Sequence, residues 1–153
     1  MSQGYFYENF AVGKKFQSKP FRIEKERIMS FAEEFDPQPQ HVSEQAARAS
    51  QFGELVASGW HTAAVSMRLF VTQALPSIAG GGQGAGIDGL AWPYPVRPGD
   101  ELHVEAEVIA ARVSRSRPEK GLITLRVTTL NQNGQVVMTA THTVMVPRRG
   151  SQA

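Results

Sequence analysis

Asp36 and His41 stand five residues apart in the run Asp36-Pro37-Gln38-Pro39-Gln40-His41. A carboxylate and an imidazole thus share a segment whose two prolines each fix a backbone φ angle. That stiffness lowers the entropy lost when both side chains are held in one arrangement. If they converge on a single water, they can divide general-base and general-acid work between them. Spacing alone leaves a plainer role open, in which Asp36 ends a helix and His41 is satisfied within a loop. A second run, Ala57-Ser58-Gly59-Trp60-His61, places a capping serine and a glycine where an apolar helix would begin. Backbone N–H groups left free there, helped by the helix dipole, can hold a developing oxyanion. The alternative is an ordinary cap followed by a core tryptophan. His61 reads as a packed first-turn residue rather than a general base.

These groups need elements to carry them. Lys15 to Ile23 reads as a short strand interrupted by Pro20. From Glu24 to Phe35, Ile28, Phe31, Ala32 and Phe35 recur at i, i+3, i+4 and i+7, which makes one apolar helical face. Pro37 and Pro39 forbid its continuation, so Asp36 to His41 is expected to be an extended, stiff loop. Ser43 can cap a short helix over Glu44 to Ser50. Ser58 can cap a third over Gly59 to Leu75, whose only formal charge is Arg68 with histidines neutral. Its stripe of Trp60, Ala63, Ala64, Met67, Val71, Ala74 and Leu75, with Val65, Leu69 and Phe70 off the stripe, is apolar nearly all round and predicts a buried helix.

The second half of the chain alternates with period two. Leu102, Val104, Ala106 and Val108 face one way, as do Ile123, Leu125, Val127 and Thr129. Val136, Met138, Ala140, His142, Val144 and Val146 close the pattern. Asn133-Gly134 between two such runs signals a hairpin. Leu90 to Val96 reads as a further strand with edge-favouring prolines. The glycine-rich stretch from Gly80 to Gly89 reads as a mobile loop, able to act as a lid. Its G-x-G-x-x-G letters at Gly84 to Gly89 open no helix, so the dinucleotide reading lacks its context. A buried helix followed by long antiparallel strands predicts an α+β fold, with a curved sheet around the helix.

The 153 residues fit one domain spanning 1–153, with 41% hydrophobic content. With no Cys, disulfides, thiolate catalysis and cysteine-based zinc sites are excluded. No histidine pair has zincin spacing, and no metal is expected. A net charge of +2 gives no ground for nucleic-acid binding. No stretch approaches the length of a membrane span and the start lacks a signal-peptide pattern, so a cytoplasmic protein is expected. Arg112, Arg115, Arg117 and Lys120 surround one turn and Arg148 and Arg149 end the chain, as solvated charges or phosphate contacts.

The segments FAEEFDPQPQHVSEQAA (Phe31 to Ala47) and LVASGWHTAAVSMRLF (Leu55 to Phe70), with Arg97-Pro98-Gly99-Asp100 ahead of a long strand, resemble the MaoC-like dehydratases, which include the (R)-specific enoyl-CoA hydratases. The resemblance runs from about Phe10 to Val146. It implies the hotdog fold, a curved antiparallel sheet wrapped around a long helix. The family motif is approximately Asp-x-Asn-Pro-x-His. Asp36 and His41 occupy its catalytic positions, Pro39 its proline, and Gln38 stands in place of the asparagine.

By this resemblance, the chain would hydrate trans-2-enoyl-CoA reversibly to (R)-3-hydroxyacyl-CoA, with Asp36 and His41 activating one water and the Gly59 N–H serving the thioester oxygen. Gln38, Ser58 and Trp60 are the expected substrate-binding residues. Some members add a hydroxyl from the central helix; Thr62 and Ser66 are nearby, and neither matches cleanly. No cofactor is implied. An acyl-CoA substrate and a homodimer or higher homo-oligomer are. Two other readings stand beside this one, a hotdog acyl-CoA thioesterase and a non-catalytic acyl-CoA-binding module. Gln38 keeps the second of these open.

Overall fold

The structure, a computed structural model, describes residues 4–150. The period-two segments become three long strands, β4 (Glu101–Val113), β5 (Lys120–Leu130) and β6 (Val136–Pro147). Because side chains alternate across a strand, one row of each is buried and the other is largely exposed or half-buried. Val108 opposes Leu125, which opposes His142, so the buried rows align into one inner face. The sheet is antiparallel throughout in the order β1-β4-β5-β6-β3, where β1 is Lys15–Gln17 and β3 is Gln83–Ala91. A two-residue strand β2 (Phe21–Arg22) also pairs with β4. The expected interruption near Pro20 is thus real. The Asn133-Gly134 signal also holds, within a five-residue loop. Gly134 takes φ 75°, and the Asn131 side-chain oxygen accepts from the N–H groups of Asn133 and Gln135 at 2.9 and 3.1 Å.

Four helices precede or cross this sheet: α1 (Lys25–Phe35), α2 (Pro39–Val42), α3 (Glu44–Arg48) and α4 (Gly59–Leu69). The α4 helix lies along the concave side of the sheet and buries Thr62, Val65, Ser66 and Leu69. This is the hotdog arrangement. Ser66 ties helix to sheet, its hydroxyl 2.7 Å from both the Thr62 carbonyl and the Thr129 hydroxyl. Ile28 and Ala32 of α1 are fully buried, whereas Phe35, at the helix end, is exposed. Phe31 stacks on His61 with ring centroids 4.7 Å apart and planes 8° apart.

Several expectations need correction. The Asp36–His41 segment is not extended throughout. Pro39 starts the helical turn α2, because the first turn of a helix needs no N–H donor there and Pro already has a helical φ. The third helix does not run regularly to Leu75. It loosens after Leu69 into a π turn over Phe70–Ala74, closed by the Leu75 N–H on the Phe70 carbonyl at 2.7 Å. Nor is it buried all round. The stripe from Trp60 to Val71 faces outward, with Trp60, Met67 and Val71 exposed, and the sheet covers the opposite side. The strand expected over Leu90 to Val96 ends at Ala91 and begins earlier, inside the glycine-rich run. That run is therefore an edge strand paired with β6, with two register shifts, rather than a loose lid. Glycines lack side-chain signal, so their alternation cannot be read from sequence.

His61 and His142 are both buried, and burial pushes each below the ordinary histidine value of 6.5, Arg27 adding to the effect at His61. Each is neutral in the fold at a pH where the unfolded chain binds protons. Their contribution is complete above 6.5 and is lost as pH falls below it. Urea unfolding should therefore show a falling midpoint between about pH 7 and 5, and His61→Phe should flatten that dependence. An unchanged slope in the variant would remove His61 from the account.

Candidate active site

The functional side chains come from three segments that converge at the start of α4. Asp36 is the residue on which α1 ends, with φ −154° and ψ 68°. This turns the chain so that its carboxylate faces the α4 N-terminus. His41 lies in the α2 turn, buried, because the extended residues Leu55 to Ala57 run beside it. The Val56 N–H donates to the Gln40 carbonyl at 3.1 Å, and the Ala57 N–H to the Val96 carbonyl at 2.8 Å. The same Val56 supplies the carbonyl that lies 2.7 Å from His41 Nδ1. A carbonyl only accepts, so Nδ1 carries a hydrogen, and in the neutral form of the ring the lone pair falls on Nε2. That nitrogen faces Asp36 Oδ2 at 3.6 Å. The separation is too long for a direct hydrogen bond and too short for a water in line, so a water that touches both groups must sit to one side of the pair.

Asp36 is held at both oxygens. The Ser58 hydroxyl donates to Oδ2 at 2.6 Å, and the Gln38 amide to Oδ1 at 2.8 Å. Partial burial pushes its carboxyl up, but these two hydrogen bonds and the nearby His41 outweigh it, and the net shift is downward. The group is therefore a carboxylate at neutral pH. The Ser58 hydroxyl oxygen also accepts from the Trp60 N–H at 3.2 Å and so caps α4.

Gly59 follows as the first helical residue, and its amide has no carbonyl one turn earlier to bind. A Cβ there would come within 2.7 Å of the Trp92 ring, so only glycine fits under that indole. Asp36, Gln38, His41, Gly59, Trp60 and Thr62 all line one cleft of about 430 Å³. It has room for a small polar group beside the Gly59 amide and for a water touching both the acid and the imidazole. Among the described residues no cluster of three His, Cys, Asp or Glu could hold a metal.

Residues 8–131 match the family model of the MaoC like domain. The chain belongs to the MaoC-like dehydratase family. It is 32% identical over 143 residues to an uncharacterized protein, YdeM, of Bacillus subtilis (strain 168), a match covering 92% of this chain and 98% of that one. A MaoC-like dehydratase from Rhodospirillum rubrum has a similar structure, with TM-score 0.90 and 55% identity over 95% of this chain and 99% of its own. The unliganded R-hydratase PhaJ1 from Pseudomonas aeruginosa superposes with TM-score 0.77 at 26% identity, over 95% and 88% of the two chains.

In this MaoC-like chain the sequence-predicted residues Asp36, Gln38, His41, Ser58, Gly59 and Trp60 lie together at one end of α4. One of them is placed differently from expectation. Ser58 is fully buried beneath Asp36, so its hydroxyl acts on the carboxylate and does not reach the cleft as a substrate ligand. Trp60 is 59% exposed and meets Trp92 edge-on at 5.3 Å, so it is no core residue. Two contributors escape a reading of the sequence. The Val56 carbonyl is backbone and carries no residue signal. Trp92 sits in an irregular proline-containing segment whose packing on Gly59 no local pattern announces. Thr62 also lines the cleft.

Removing the Ser58 hydroxyl should be felt at two places. Ser58→Ala should raise the Asp36 carboxyl pKa, read by carboxyl NMR titration, and cost about 0.5–2 kcal/mol of stability through the lost cap. An Asp36 titration that does not move would show that the contact carries no weight.

Proposed function

We propose that this protein is an enoyl-thioester hydratase that interconverts trans-2-enoyl-CoA and (R)-3-hydroxyacyl-CoA. The observation that carries the reading is the pairing of His41 Nε2 with Asp36 Oδ2 across 3.6 Å, beside the unpaired amide end of α4. A water seated to one side of the pair, within reach of both, donates one hydrogen to the Asp36 carboxylate and the other to the lone pair of His41 Nε2. As its oxygen bonds to Cβ of the enoyl group, His41 takes that proton. The π electrons move onto the thioester oxygen, and the Gly59 amide and the helix dipole stabilise the enolate. Collapse of the enolate takes the proton from the imidazolium to Cα on the same face, which gives syn addition. Asp36 stays ionised throughout, orients the water and stabilises the imidazolium. The depressed pKa of Asp36 and the fixed Nδ1–H tautomer of His41 both support this division of labour.

Gln38, where the family motif has asparagine, still donates to Asp36 through its amide. That supports a working site over a purely binding module. The chemistry needs no cofactor in this scheme.

The reading includes a homodimer or higher homo-oligomer. Its support is the outward stripe of α4, where Trp60, Met67 and Val71 are exposed, together with the outer edge of β3, unpaired among the described residues. Sedimentation should give at least twice the 16.8 kDa chain mass at micromolar concentration. A monomer there would overturn this part.

Hydration is tested by loss of enoyl-thioester absorbance. Asp36→Ala and His41→Ala should each lower kcat/KM by about 10²–10⁴-fold with circular dichroism unchanged. Wild-type rates in either variant would end the assignment, release of free CoA thiol would favour a thioesterase, and binding without turnover would favour the binding module.

A further inference from the structure

His61 is 8% exposed, and its Nδ1 is fully buried with no hydrogen-bond partner among the described residues. Whichever tautomer the ring takes, that nitrogen gives up water and gains nothing in return. A phenylalanine would fill the same place with no polar atom to satisfy. The imidazole therefore costs stability, and its neighbours account for it.

His61 lies on the first turn of α4, and its ring stacks on Phe31 of α1, with centroids 4.7 Å apart and planes 8° apart. Phe31 stands about one and a half turns before Asp36 on the same helix. The Asp36 N–H still donates to the Ala32 carbonyl at 2.9 Å, so the carboxylate moves with the last turn of α1. A second link, from the Ser58 hydroxyl to Asp36 Oδ2, joins the same two helix ends. One hydrogen bond fixes a separation and leaves an angle free. Adding a pair of nearly parallel rings fixes the angle of α1 on α4 as well. Ile28 and Ala32 bury the rest of that face of α1.

Protonation works against the stack. An imidazolium at this place meets the positive end of the α4 dipole and buries an N–H with no acceptor. It also meets Arg27, one turn before Phe31, which is the charged group of α1 that acts on it. On α4 itself no formal charge occurs before Arg68, and the π turn has none. Opposite α4, the inward row of β4 from Leu102 to Val108 is apolar. The inward row of β6 brings His142, which lies beside Phe70 at the other end of the helix. Asp36 and His41 face each other, and Asp36 is engaged by Ser58 and Gln38.

We propose that His61 is a positioning residue for Asp36: its neutral ring, stacked on Phe31, locks the end of α1 against the start of α4, and its protonation releases that lock. The functional part rests on the enoyl-thioester reading, in which Asp36 orients the water.

Two measurements test it, one of them independent of turnover. At neutral pH, His61→Ala should lower kcat about tenfold with KM unchanged, and His61→Phe, which keeps a ring to stack, should restore it. Amide hydrogen exchange, corrected for the intrinsic rate, reads the lock directly. Protection of the Asp36 amide should fall about tenfold between about pH 7 and 5 in the wild type while β5 amides stay protected, and it should hold constant in His61→Phe. His61→Phe serves alone if His61→Ala does not fold. Equal loss of protection in wild type and His61→Phe would overturn the lock, as would an unchanged kcat in His61→Ala. Absence of turnover in every form, with exchange still following the expected pattern, would remove the hydratase reading and leave the lock standing.

Discussion

One hydroxyl joins the two halves of the site. Ser58 Oγ donates to Asp36 and accepts from the Trp60 amide, so the carboxylate is fixed to the same atom that starts α4. Its burial removes competition from water, which makes both hydrogen bonds more effective than they would be at the surface. The positions of the carboxylate and of the Gly59 amide are consequently correlated. A shift of the helix start moves the acid with it, and the cleft keeps its internal geometry. His41 is referenced to the same region through the Val56 carbonyl, two residues upstream of Ser58.

The hotdog architecture supplies the rest of the constraint. The inner rows of β4, β5 and β6 give a continuous apolar surface, and α4 presses Val65 and Leu69 against it. The Ser66–Thr129 hydrogen bond is a polar tie within that contact, satisfied on both sides and specific for one register of helix on sheet. The opposite side of α4 carries as many apolar side chains and lacks a cover among the described residues. An amphipathic helix is thus built from a sequence that is apolar in every direction. Exposed apolar area of this kind marks a surface meant to be covered.

Most of this is legible in the sequence where periodicity is strong. The rows Leu102–Val108, Ile123–Thr129 and Met138–Val146 set the sheet and its inner face, because alternation is a direct image of burial. The site pair is legible because Asp36 and His41 lie in one proline-marked run, and resemblance supplies its partner segment. What escapes is set by tertiary packing. Periodicity cannot say which face of α4 the sheet will cover, since both are apolar. Glycines hide β3, having no side chains to alternate. Pro39 reads as a helix breaker and acts as a helix starter, a role decided by position within the turn. Ser58, expected to meet substrate, lies beneath Asp36, a difference that needs three-dimensional burial to see.

The spacing of the clefts along α4 also bears on how such a protein can change. The acid–imidazole pair lies at the first turn of α4 and a cavity of about 700 Å³ beside its last, so a substitution near His142 or Phe70 is well beyond the roughly 7–10 Å over which mutational effects usually couple. The wall opposite is the glycine-rich strand, where Gly84 and Gly86 line the cavity and an added Cβ would meet nothing within 4 Å. Side chains introduced there can shorten or reshape the space without touching the acid, the imidazole or the helix cap. The molecule thereby keeps a fixed engine and an adjustable gauge on a single rod, and a lineage could explore new ligands by drift along one strand.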